Sequence, residues 1–143
     1  MTNLNALTNI TPLEMNNTLI TNGSIINNTI NNVNYVDNRI LSVPTGSVTT
    51  LFNMDSVPGA GTFVTSSVKY VRVTNNSNAS PIKLIISSST EAMSYLISSG
   101  SSYMMSTSKM TGSTSGLNFD DIKSVKVEPS GSATSIEYYI VTA

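Results

Sequence analysis

The chain of 143 residues has no cysteine, no histidine and no tryptophan. Each absence removes a class of chemistry. Without cysteine there are no disulfides, no thiolate nucleophile and no Cys-based zinc site. Without histidine, Ser-His-Asp triads and imidazole metal sites are excluded. Without tryptophan, any stacking platform for sugars rests on tyrosine. Charge is scarce as well. Seven Lys and Arg with eight Asp and Glu make 10% of the chain, against roughly a quarter in ordinary soluble domains. The basic residues are scattered and the net charge is −1, so a nucleic-acid footprint is missing. No run approaches the roughly 18 apolar residues of a membrane span. The start, Met1-Thr-Asn-Leu-Asn5, lacks the basic and continuous apolar regions of a secretory signal. Neither a nucleic acid nor a membrane is an expected partner.

Short neutral polar residues fill the gap. There are 24 Ser, 18 Thr and 17 Asn, or 59 of 143 residues. These side chains suit exposed strand faces, turns and wet interfaces. Such a surface is more like that of an extracellular or assembled structural protein than of a cytosolic enzyme. Hydrophobic residues at 39% are enough for one domain with a real core.

The strongest structural signal lies at 67–88. Val68, Tyr70, Val71 and Val73 form one β-rich run, and Ile82, Leu84, Ile85 and Ile86 a second. Between them stand Asn75-Asn-Ser-Asn-Ala-Ser80, all but one of them turn formers. The pattern predicts a β-hairpin with a longer loop.

Residues 1–32 differ from the rest. Leu4, Leu7, Ile10, Leu13, Met15, Leu19, Ile20, Ile25, Ile26 and Ile30 are spaced among Asn and Thr, and Glu14 is the single charge. Thr11-Pro12 interrupts any early helix. Asn22-Gly23 between short apolar runs predicts a tight hairpin. The segment is too apolar for a purely solvated tail. Two readings stand: a hairpin covering the edge of its own domain, or an arm packed on a neighbouring subunit.

From Val33 to Ala143, short strands alternate with turn signals, among them Asp37-Asn38, Pro44-Thr-Gly46, Pro58-Gly-Ala-Gly61, Ser98-Ser-Gly-Ser-Ser102 and Pro129-Ser-Gly-Ser132. About eight strands and no helix are expected. The fold class predicted is all-β, a β-sandwich, jelly-roll-like or immunoglobulin-like, with an N-terminal arm at 1–32 and the sandwich at 33–143. The last strand, Thr134–Thr142, is apolar on both faces. It is therefore expected to be central in its sheet or covered on its outer side by another subunit.

Candidate chemistry is sparse. Asp120-Asp121 is the one adjacent acidic pair outside any spaced calcium-loop pattern, so a turn or strand-leading role outweighs a metal. Asp55, Glu91, Glu128 and Glu137 are scattered, although separation in sequence does not forbid a glycosidase-like pair in space. Gly59-Ala-Gly61 lacks the Lys-Ser/Thr of a phosphate loop. The six tyrosines suit core and interface packing more than a sugar-binding face. Of the seven methionines, the adjacent Met104 and Met105 are gap-fillers for cores or contact surfaces. No cofactor and no enzymatic activity are expected.

Leu41-Ser-Val-Pro-Thr-Gly46, Tyr70-Val-Arg-Val-Thr-Asn75, Ile82-Lys-Leu-Ile-Ile86, Leu96-Ile-Ser-Ser-Gly-Ser-Ser102, Ile122-Lys-Ser-Val125 and the ending Glu137-Tyr-Tyr-Ile-Val-Thr-Ala143 together resemble small virion proteins of tailed, particularly marine, bacteriophages. The resemblance implies a β-sandwich head-decoration or other accessory structural protein. As a decoration (cement) protein it would bind the major capsid protein or other virion proteins as a homotrimer, clamping neighbouring capsid subunits through β-edge pairing and apolar burial. The expected partner-binding residues are Leu4, Leu7, Ile10, Leu13, Leu19 and Ile20. The alternative is a tail-fibre or receptor-binding module for host surface glycans, which predicts an exposed tyrosine-lined groove. A small hydrolase would need two carboxylates facing each other in a cleft.

Overall fold

A computed structural model describes residues 13–21, 24–106 and 121–143, with side chains from residue 30 onward. Its strands are β1 (Leu13–Thr21), β2 (Ser24–Val33), β3 (Tyr35–Val43), β4 (Thr49–Asp55), β5 (Thr62–Val64), β6 (Val68–Asn75), β7 (Ile82–Ser87), β8 (Ala92–Ile97), β9 (Ser102–Ser106), β10 (Ser124–Pro129) and β11 (Thr134–Thr142), with a 3-10 turn at Thr65–Ser67. The chain is an all-β sandwich. One sheet runs β5-β4-β10-β7-β8, the other β3-β11-β6-β9, and β1-β2 form a third, two-stranded sheet.

The order has a simple logic. β3 pairs with β11, β4 with β10, β6 with β9 and β7 with β8, all antiparallel. These are the pairings of one long hairpin closed at β7-β8. The long hairpin is then rolled so that β6 also pairs with β11 and β7 with β10. That is a jelly roll, one of the two sandwich types the sequence allowed. The three-residue β5 is an addition, parallel to β4.

The predicted hairpin at 67–88 is not one. β6 and β7 lie in different sheets, and residues 76–81 carry the chain across the sandwich. Strand propensity marks where strands stop; it does not say whether the next one pairs or crosses. The crossing is fixed by Asn75, fully buried at 0% exposure. Its Nδ2 donates to the carbonyls of Ser80 (2.8 Å) and Ile97 (3.2 Å). Its Oδ1 accepts from the Ser77 N–H (3.0 Å) and the Thr134 hydroxyl (3.3 Å). Ser77 Oγ in turn accepts from the N–H groups of Ala79 and Ser80. Two more crossings use glycine at positive φ, Gly46 (72°) and Gly100 (72°), a backbone region that L side chains rarely adopt.

Both inner faces supply one core. Leu51, Phe52, Met54, Ile82, Leu84, Ile86, Ile97, Val125 and Val127 from one sheet meet Val43, Val71, Val73, Met105, Ile136, Tyr138 and Ile140 from the other. Each fully buried Val, Leu or Ile side chain contributes about 1.5–3 kcal/mol through removal from water. A bulge sharpens the packing. Val125 faces Phe52 while Lys126 faces Thr50, so β4 carries one residue more than β10. Leu51 and Phe52, neighbours in sequence, are therefore both buried.

β1 and β2 form the antiparallel hairpin that Asn22-Gly23 predicted, with Thr21 opposite Ser24. At its base, Leu13 faces Val33 and Met15 faces Ile30. β2 thus has one extra residue, and Asn32 there takes φ 57°. Asn tolerates this left-handed conformation better than a β-branched residue does. The bulge lets Ile30 and Val33, which a regular strand would aim at opposite faces, join one cluster.

Candidate functional site

That cluster lies on the outer face of the four-stranded sheet. Buried Ile30, Tyr70 and Val141 are joined by Val33, Val36 and Tyr139. β11 is central in its sheet, and one end of its apolar outer face is covered by its own chain through Ile30. The base of the arm therefore packs on its own domain. Beyond Ile30 the face opens. Arg72 sits with its guanidinium carbon 5.6 Å from the Tyr139 ring centre and its Nη2 3.4 Å from Glu137 Oε1. Tyr70 meets Tyr139 edge-on at 6.4 Å. Met104 lies opposite Arg72 on β9, and Ile40 lies opposite Glu137 on β3. Both are exposed, Ile40 to 69% and Met104 to 47%. Neither Tyr70 Oη nor Arg72 Nε has a hydrogen-bond partner among the described residues. This face combines apolar area with a partly shielded ion pair, a composition suited to contact with protein.

Of the six residues expected to bind a partner, Leu13, Leu19 and Ile20 fall on β1, opposite Val33, Ile26 and Ile25. Leu4, Leu7 and Ile10 lie outside the described residues. The outer-face group was not singled out in the sequence. Its one visible signal was the apolar character of β11 on both faces.

A second feature is a cleft of about 350 Å³ between β3 of one sheet and β5 of the other. Tyr35, Arg39, Phe63, Thr62, Ser67 and Thr142 line it, with Pro58, Gly59, Gly61 and Val64. No carboxylate lines this cleft. Tyr35 and Arg39 stand four residues apart on one strand, about 13 Å. Arg39 is held from behind. Its Nε is 3.0 Å from Asp37 Oδ2, and Tyr138 Oη donates to the same carboxylate at 3.2 Å. The bond to Asp37 raises the Arg39 pKa further above its ordinary value. Asp37 is 8% exposed, so edge strand β3 carries an inward-pointing charge, a device that discourages strand addition.

Burial, with the Asp37 charge second, pushes the Tyr138 phenol up to about 12. Burial also pushes Tyr103, stacked on Tyr95 at 4.8 Å, up to about 12. The sign follows from linkage. Between pH 10 and 12 the unfolded chain has lost protons that the folded chain keeps, so stability is full below pH 10 and falls as pH rises. Urea midpoints measured from pH 9 to 12 should decline from about pH 10 onward, and Tyr138→Phe should make the decline shallower. A flat profile to pH 12 would contradict the burial of both phenols.

Among the described residues no helix is long and apolar enough to cross a membrane, and no three Asp or Glu side chains gather as a metal site. No protein-family model matches the chain, and no curated protein matches it.

Proposed function

We propose that this chain is a non-enzymatic structural protein of a virion, a capsid decoration protein that binds the major capsid protein or a neighbouring virion protein. The observation that carries the reading is the β1-β2 hairpin. It forms a sheet of its own, with strands of nine and ten residues, outside a jelly roll that closes without it. A two-stranded hairpin is marginal in water and needs a surface to pack on. Its base has one, the Tyr70–Val141 patch; a capsid subunit would supply the rest. The resemblance of residues 41–143 to accessory proteins of tailed-phage heads supports the same reading, as does the use of jelly rolls in viral shells, which is an analogy of fold alone. The surface is nearly neutral, so such contacts would be little screened by salt.

A second reading, recognition of a host surface glycan, is favoured by the cleft, which exposed Tyr35 and Arg39 both line. One experiment weighs both. Full-length protein is mixed with heads of its own phage stripped of it, alongside a variant lacking residues 1–29, which keeps Ile30 on its patch. Full-length protein should co-sediment with heads and the truncated form should not. Equal binding by the two would sink the arm model. Binding to host surface polysaccharide that Tyr35→Ala abolishes, with no binding to heads, would favour the glycan reading.

A further inference from the structure

The four sheet edges of the sandwich are not alike. β3 is guarded by Asp37 and Arg39. β5 is only three residues long. β8 and β9 are the edges on the opposite side, joined across the sandwich by the Tyr95–Tyr103 stack. From Ala92 to Ser106 there is not one charged residue and no proline. β9 is the shorter, and its Met104 and Ser106 already have partners. β8 pairs regularly with β7 from Ala92 to Ile97, without a bulge. Among the described residues its other edge has no strand beside it. Charges, prolines, bulges and short length are the usual protections of such an edge, and β8 has none of them. Leu96, at 67% exposure, adds an apolar side chain to the unguarded strand.

We infer that β8 is the seam of a two-fold dimer, paired antiparallel with β8 of a second copy of this chain. The occupant follows from charge and register. In an antiparallel pair about a two-fold axis, each strand faces itself reversed, so a charge at the axis meets its own sign. Like charges directly opposite are destabilising. A strand without charges is the one that can face itself. The free stretch is bounded by Glu91 at one end. At the other end the Ile97 carbonyl is taken by Asn75 Nδ2. The stretch between, Ala92–Leu96, is centred on Ser94. A two-fold axis through Ser94, perpendicular to the sheet, keeps each face on its own side. It sets Leu96 opposite Ala92 of the partner copy, large against small, and Met93 opposite Tyr95. The two Glu91 carboxylates then stand about 20 Å apart, beyond the roughly 8–10 Å over which salt leaves exposed charges coupled. The two five-stranded sheets become one of ten. This seam does not rest on the virion reading, because copies pair with or without a shell. It also differs from the trimer expected above, since a two-fold seam closes at two copies.

Light scattering on the full chain should give twice the monomer mass at micromolar concentration. Ser94 is exposed and paired with Ile85 of β7, so Ser94→Lys should leave folding intact, with an unchanged circular-dichroism melt at low protein concentration. It places two ammonium groups at the axis and should weaken dimerisation at least about tenfold. Ser94→Glu should do the same. Mixing the two variants should restore a dimer containing one of each, because the opposed charges now attract. A monomeric wild-type chain would overturn the seam, as would a trimer or dimer indifferent to Ser94→Lys. So would a mixture of the two variants that stays monomeric.

Discussion

Phe52→Ala should lower the free energy of unfolding by about 4 kcal/mol, the middle of the range for a buried aromatic truncated to alanine. The size follows from where the ring sits. Phe52 is 1% exposed on β4. Its ring meets Phe63 of β5 edge-on at 5.9 Å and Tyr138 of β11 at 5.6 Å with a 53° tilt. It therefore ties the short β5 to its sheet and bridges the two layers. Truncation leaves a cavity that β-strands, held on both sides by hydrogen bonds, cannot easily collapse into. Phe52→Leu fills most of the space and should cost about 1–1.5 kcal/mol. Urea unfolding with an unchanged slope measures both. A loss below about 1 kcal/mol for Phe52→Ala would mean that Phe52 is not the joint between the layers. Because Phe52 supports the Tyr138 ring, the hydroxyl contact to Asp37 should loosen with it. Arg39, held by the same carboxylate, would then present a less fixed face to the cleft.

Much of this core was legible in the sequence, and the reasons are local. Alternation in Ile136, Tyr138 and Ile140 against Glu137, Tyr139 and Val141 marked β11 as a strand with two apolar faces, and it is central, with part of its outer face covered. Asn22-Gly23 marked the turn between β1 and β2 because a two-residue loop demands such residues. What was not legible depends on partners far away in the chain. Residues 76–81 have the composition of a hairpin loop, and only the choice of β11 for β6 and β10 for β7 makes them a crossing. Adjacent Leu51 and Phe52 broke the expected alternation, and only the register against β10 shows why. The outer-face group was hidden for the same reason. Arg72 and Glu137 are 65 residues apart, and neither looks unusual alone. Apolar residues of the arm were the natural choice from composition. Ile30, which the sandwich takes up, owes its place to a bulge at Asn32 that no spacing rule announces.

The second large effect is expected at Asn75, and it concerns the crossing itself. Asn75→Ala should cost about 3 kcal/mol in urea unfolding, because it strands buried polar groups. The Ile97 carbonyl and Thr134 hydroxyl lose a buried partner outright, while Ser80 O and Ser77 N–H are partly buried and can recover water. The amide joins β6, the 76–81 crossing, the end of β8 and the start of β11, so its loss loosens three connections together. Asn75→Asp separates hydrogen bonding from shape. The carboxylate keeps the two bonds that Oδ1 accepts, but sets a negative charge against the carbonyls of Ser80 and Ile97. Such a site raises a carboxyl pKa. With its pKa above the unfolded value, the variant's deficit is full at neutral pH and shrinks as pH falls through the folded pKa, where the protonated acid donates one of the missing bonds. Asn75→Ala has no such recovery. Stability curves from pH 7 to 4 for the two variants, each taken relative to wild type, should therefore converge toward different limits: constant for alanine, rising for aspartate. Parallel curves would mean that Asn75 acts by filling space, and that the crossing is held by Ser77 and the backbone instead.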